Sequence, residues 1–143
     1  GGCGLVCICD LAITHADSKM GFPEVGMGVC PAVVAPWLIR RVGAGKARRI
    51  LLMGGLMTGQ QAFDTGIVTG LVPGADDLDD AVAQTAERLA SGGAQALQAT
   101  KNHLNNLDGS LDRDQARQGA ELSARVLALP ESRARLQAAL AGR

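Results

Sequence analysis

The sequence predicts an α/β chain whose first half mixes short strands with short helices and whose second half is helical. Three observations predict it. Up to Gly74, β-type runs alternate with compact helical stretches set off by glycines. Beyond Gly74, apolar residues recur at three- or four-residue steps, as in Leu78, Val82, Ala86 and Leu89. The 143 residues are 47% hydrophobic and 20% charged, enough to build a core, but only 2% are aromatic, so that core is aliphatic.

Taken in order, Gly2 to Ile8 reads as a short, tightly packed helix whose small side chains let neighbouring backbone approach. Residues 11–14 and 18–22 read as two short strands, and 23–29, with Gly26 and Gly28, as a loop. A helix follows over 37–42, with Pro36 at its first turn and Gly43 closing it. Residues 44–53 form the next, with Lys46, Arg48 and Arg49 on its polar side and Gly54-Gly55 ending it. Thr58 is a candidate cap for a short helix that stops at Gly66, after which 67–73 returns as a strand. Asp76, Asp77, Asp79 and Asp80 stand where a helix N-terminus favours negative charge. Gly92-Gly93 breaks that helix, and 94–107, 110–129 and 130–140 supply three more.

The change of character falls near residue 75, which divides the chain into a mixed part, 1–75, and a helical part, 76–143. Charge divides there too: six basic and four acidic side chains precede it, eight and ten follow. The formal net charge is zero, which removes the electrostatic argument for nucleic acid or an anionic membrane as partner. No run approaches the roughly 18 apolar residues of a membrane-spanning helix. Cys3, Cys7, Cys9 and Cys30 contain no CxxC pair and stand at no familiar ligand spacing from His15 or His103. They read as reduced, buried thiols in a cytoplasmic protein, with no metal site. The opening on Gly1-Gly2-Cys3-Gly4, without Met, reads as the start of a piece cut from something longer.

Few side chains in the mixed part can do chemistry. Glu24 stands out because Pro23, Val25, Gly26, Met27 and Gly28 surround it with apolar or glycine positions. A carboxyl that loses hydration in such a setting favours its neutral form, which suits acid/base work near neutrality; an ordinary loop glutamate is the bland alternative. Glycines opening a helix leave N–H groups that can hold an oxyanion, although close packing explains such clusters more often. Asp10 reads as a structural hydrogen-bonding group, and His15 and His103 as ordinary surface or helix histidines. Arg40, Arg41, Arg48 and Arg49 read as solvated helix faces, and Trp37 as core or pocket lining.

Several landmarks together resemble a known family. Gly1-Gly2-Cys3-Gly4-Leu5, followed by Cys9-Asp10-Leu11-Ala12-Ile13, is similar to the glycine-rich helix and next strand of the crotonase (enoyl-CoA hydratase/isomerase) superfamily. Met20-Gly21-Phe22-Pro23-Glu24-Val25-Gly26-Met27-Gly28 resembles its F-G-x-P-E-x-x-x-G segment, and Val42-Gly43, Thr58-Gly59 and Ala62-x-x-x-Gly66-Ile67-Val68 resemble its later landmarks. The resemblance implies the C-terminal half of a ββα spiral, followed by helices used for trimerisation, in a homotrimer or a hexamer.

It also implies an acyl-CoA thioester as substrate and no metal, flavin or nicotinamide cofactor. The enolate would form in a hole of two backbone N–H groups, of which Gly1 matches one and the other lies upstream. Glu24 matches the second of the family's two glutamates; Gly4, which cannot carry a proton, matches the first. Gly2, Pro23, Ala32 and Trp37 match positions around the substrate. Lys101 lies where family members approach a neighbouring subunit's CoA. The stretch Pro31-Ala32-Val33-Val34-Ala35-Pro36 resembles that of methylglutaconyl-CoA hydratase-like members. Hydration of a 2-enoyl-CoA is therefore expected. A single-glutamate Δ3,Δ2-enoyl-CoA isomerase and a non-catalytic assembly member are the alternatives, and the fragment alone is expected to be inactive.

Overall fold

The computed structural model describes residues 2–110 and 112–141. Among these, eight α-helices and four three-residue strands follow one another. Helix α1 (Gly2–Ile8) leads into strands β1 (Ile13–His15) and β2 (Lys19–Gly21). Helices α2 (Ala35–Val42) and α3 (Ala44–Met53), strand β3 (Leu56–Thr58), helix α4 (Gly59–Thr65) and strand β4 (Gly70–Val72) come next. The helical part comprises α5 (Leu78–Ala90), α6 (Ala94–Leu107), α7 (Arg113–Ala128) and α8 (Pro130–Ala141).

The strands make two separate pairs. β1 lies parallel to β4, with Ile13 opposite Gly70 and His15 opposite Val72. β2 lies antiparallel to β3, with Met20 opposite Met57. Residues 56–58 carry no alternating pattern, so sequence gave no sign of β3; β2 recruits them, because an unpaired backbone edge needs hydrogen-bond partners. The strand expected over 67–73 is shorter than that. Ile67 and Val68 are core residues in a turn, 1% and 3% exposed, and only 70–72 pair. The expected loop at 23–29 contains a single 3-10 turn, Glu24–Met27. Gly28 closes it at φ +73°, a left-handed conformation that glycine adopts without a Cβ penalty.

The helix boundaries follow local chemistry closely. Gly43 and Gly54 bracket α3, both at positive φ. Thr58 caps α4 with a full capping box: its hydroxyl accepts from Gln61 N–H, and Gln61 Oε1 accepts from Thr58 N–H at 2.9 Å. The core gathers where α1, α2, α3 and α4 meet, around Cys7, Phe22, Leu38, Ala47, Ala62 and Ile67. Leu38 is fully buried. Helices α5 and α6 bury little: the apolar stripe of α5 exists, but Val82 is 53% exposed, and no residue of either helix is buried among those described. Helices α7 and α8 fold back on the 23–36 region. Gly28 takes the backbone of Ser132 so closely that a Cβ there would stand 3.1 Å from Ser132 Cα.

Candidate active site

Glu24 opens the 3-10 turn, directly after Pro23. Its main-chain carbonyl accepts from Val29 N–H at 2.8 Å, which locks the turn onto the segment that follows. Its side chain is drawn inward: Oε2 is buried and has no hydrogen-bond partner among the described residues. A buried carboxyl oxygen left unpaired costs free energy, and such atoms are rare in native folds.

Beside the turn lies an apolar cavity of about 690 Å³. Val25, Val29, Pro31, Ala32, Pro36, Leu51 and Leu52 line it together with Gln118, Leu122 and Val126 of α7; Glu24 does not. None of its lining side chains carries a charge. The first turn of α1 stands close by. Cys3 Sγ accepts from Gly21 N–H at 3.1 Å, three residues before Glu24, and a Cβ on Gly4 would lie 3.9 Å from Val34 Cγ2.

The expected site residues therefore separate into groups. Pro23 and Glu24 are adjacent at the start of the turn, and Ala32 lines the cavity, which neither of the other two does. Gly2 begins α1, exposed, with open space where a Cβ would be. Gly1, the expected oxyanion donor, lies outside the described residues. Trp37, expected as core or acyl-pocket lining, packs against the core and lines a second cavity of about 760 Å³ between the end of α1, α2 and α6. Arg40 stacks on its ring with Cζ 4.8 Å from the centroid.

The arginines correct another expectation. Arg40 and Arg41 are half-buried rather than free helix-face charges, and each hydrogen-bonds backbone carbonyls. Arg40 donates to Asp108 O (2.9 Å), Gly109 O (2.7 Å) and Gln115 Oε1 (2.7 Å). Arg41 donates to Ile67 O (2.7 Å), Asp10 O (3.3 Å) and Val6 O (3.2 Å). The planar guanidinium fork reaches several acceptors at once, which a lysine ammonium cannot match. Arg48 and Arg49 are exposed as expected. Lys101 pairs with the Asp10 carboxylate, so the structural role expected for Asp10 is filled by a link between α6 and the end of α1. In the same cavity, hydrogen bonds from the Ser110 hydroxyl and N–H hold the exposed Asp108 carboxyl below its ordinary 3.8.

Sequence reasoning missed the packing of α7 on the stretch that follows Glu24. Gly119 brings its backbone onto Ala32, since a Cβ there would stand 2.8 Å from Ala32 O, and Ser123 Oγ donates to Cys30 O at 3.3 Å. The available signal was spacing alone: residues 115, 119 and 123 share one helix face. The four cysteines are all free thiols, only Cys7 is buried, and the described residues hold no cluster of three metal-ligating side chains. No helix among them is long and apolar enough to cross a membrane.

Known proteins match this arrangement along nearly the whole chain. The family model described as enoyl-CoA hydratase/isomerase matches residues 1–141. The 2,3-dehydroadipyl-CoA hydratase of Escherichia coli is 35% identical over 104 residues, 72% of this chain and 40% of that protein. The crotonyl-CoA hydratase of Syntrophomonas wolfei is 34% identical over 106 residues, 73% of this chain and 40% of that protein. The chain thus spans about two-fifths of the length of these curated relatives. Among solved structures, an enoyl-CoA hydratase from Mycobacterium avium superposes with a TM-score of 0.85 at 32% identity, covering 99% of this chain and 55% of that one. A crotonase-type α/β fold, a carboxylate held at the P-E position and a family match over 141 residues lead to one conclusion: this chain belongs to the enoyl-CoA hydratase/isomerase family.

Proposed function

We propose that the protein carrying this chain adds water reversibly across the double bond of a 2-enoyl-CoA thioester, with Glu24 moving the protons. The observation that carries the reading is Glu24 Oε2 at the family's P-E position, buried and without a hydrogen-bond partner among the described residues. As the water oxygen bonds to C3, the Glu24 carboxylate takes one proton from it. The electron pair of the C2–C3 π bond moves toward the thioester carbonyl and gives an enolate. The protonated Glu24 then returns a proton to C2, so that the net change is one water added. Backbone N–H donors stabilise the enolate oxygen, and Gly1 is the donor on this chain that the family pattern assigns. No electron is gained or lost overall, so the CoA thioester is the substrate and the step needs no redox cofactor.

Hydration is favoured over isomerisation because the relatives described above are named as hydratases. Gly4 leaves Glu24 without the second glutamate, so this one carboxyl serves both proton transfers. Glu24→Gln is expected to lower kcat/KM for crotonyl-CoA by roughly 10²–10⁴-fold. Near-normal turnover would end the assignment. Supplying 2-enoyl- and 3-enoyl-CoA separately distinguishes the two reactions, since only hydration of the former gives the 3-hydroxy product directly. We further propose a homotrimer or a hexamer built through the helical part, working in the cytoplasm, where its free thiols stay reduced.

A further inference from the structure

Helix α1 follows directly on Gly1, the residue that the family pattern assigns to the enolate oxygen, and it is tied at both ends. In its first turn, Cys3 Sγ accepts from Gly21 N–H at 3.1 Å. Gly21 is itself held fast. A Cβ there would overlap Gly55 O, and the next N–H, that of Phe22, donates to the same oxygen at 3.0 Å. The Phe22 side chain is buried in the core, and the Pro23 ring restricts φ immediately before Glu24. A bond to Gly21 N–H is therefore a bond to the rigid stretch that presents Glu24. At the other end, the Arg41 guanidinium donates to Val6 O in the last turn (3.2 Å), to Asp10 O just beyond it (3.3 Å) and to the O of buried Ile67 (2.7 Å). A cation at a helix C-terminus meets carbonyls that have no partner inside the helix. Cys7 is the one described residue of α1 that is buried, so these hydrogen bonds carry much of what holds the helix in place.

We infer that Cys3 and Arg41 are positioning residues for the hydration step: together they fix α1, and with it the enolate donor that precedes it, against the segment that presents Glu24. This rests on the hydratase reading. Charge on the enolate oxygen develops on the way to the transition state, so a displaced donor costs rate more than it costs substrate affinity. Cys3 supplies the direct link between the two parts of the chemistry, and Arg41 keeps the far end of the same short helix from swinging.

The test uses the protein that carries this chain, with kcat and KM for crotonyl-CoA measured well below the melting temperature of every variant. Cys3→Ala removes the acceptor from Gly21 N–H and is expected to lower kcat by about ten- to a hundredfold, with KM within about threefold of wild type. Cys3→Ser keeps an acceptor there and is expected to regain most of that loss. Arg41→Lys, whose ammonium cannot reach the three carbonyls that the guanidinium fork holds, is expected to show the same split of kcat against KM. A second readout is the absorption of bound para-dimethylaminocinnamoyl-CoA, which moves to longer wavelength as its thioester carbonyl is polarised. The wild-type shift is expected to shrink in Cys3→Ala and Arg41→Lys and to persist in Cys3→Ser. Should Cys3→Ala fail to fold, Arg41→Lys decides by the same two measurements. Unchanged kcat and an unchanged shift in the folded variants, or equal losses in Cys3→Ala and Cys3→Ser, would overturn the positioning role, while wild-type turnover keeps the hydratase reading standing. Wild type that neither hydrates crotonyl-CoA nor shifts the probe would overturn both.

Discussion

Burial makes Cys7 the least reactive thiol of the four and ties it to the stability of the fold. It is 6% exposed, and desolvation pushes its pKa from the ordinary 9.0 up to about 11, against the opposing pull of the Arg41 charge and with a small push from Cys3. Below pH 9 the thiol is protonated in both folded and unfolded chains, so the contribution is fully present. From pH 9 to about 11 the unfolded chain sheds a proton that the folded chain keeps, and stability falls. The melting-temperature gap between wild type and Cys7→Ala is therefore expected to narrow as pH rises through that window; a constant gap would contradict it. Iodoacetamide at pH 8 is expected to label exposed Cys9 long before Cys7, as read by mass spectrometry. Arg41 is the other residue on which much rests. Arg41→Leu strands carbonyls of Val6, Asp10 and Ile67, and chemical denaturation is expected to register a loss of roughly 1.5–3 kcal/mol or more. Arg41→Lys recovers only part of it.

Among the elements, two glycines at helix starts make opposite predictions. Gly4 sits in the first turn of α1 with only Val34 Cγ2 near a would-be Cβ, at 3.9 Å, so Gly4→Ala is expected to stabilise by about 0.4–1 kcal/mol through the unfolded chain. Gly59 begins α4 where a Cβ would overlap the His15 carbonyl oxygen, so Gly59→Ala is expected to destabilise sharply or displace β1. Thr58→Ala removes the cap from the same helix and is expected to cost about 0.5–2 kcal/mol, seen as a lowered melting temperature. These elements also mark what sequence could reveal. Helix α3 was legible from end to end because Gly43 and Gly54-Gly55 bracket an unbroken run. The cap at Thr58 was legible because its partner lies three residues away. β3 was not, since its only reason to be a strand is the edge of β2 on a segment 35 residues earlier.

For the whole molecule, the helical part leaves much apolar surface in the open. Leu104 and Leu107 on α6 are 56% and 71% exposed, and Val82 and Leu89 on α5 are 53% and 45%. Surface of that kind, rimmed by polar residues, suits contact between subunits. Analytical ultracentrifugation is expected to find three or six copies of the protein, and Leu104→Glu with Leu107→Glu to shift it toward monomer; a monomeric wild type would refute the assembly.

By itself the sequence determined the helices, the turn glycines, Glu24 as the candidate acid/base and, through its landmarks, the family. Each of these depends on residues a few positions apart, where propensity, capping and spacing act. The tertiary structure decided what depends on distant parts of the chain meeting. Among the described residues it left Glu24 Oε2 without a partner, set Trp37 under Arg40, and tied two arginines to oxygens 26 to 75 residues away in sequence. It also laid α7 over Ala32 because Gly119 has no side chain to prevent it. Burial, packing and the satisfaction of backbone carbonyls are properties of neighbours in space, and no local reading of the chain supplies them.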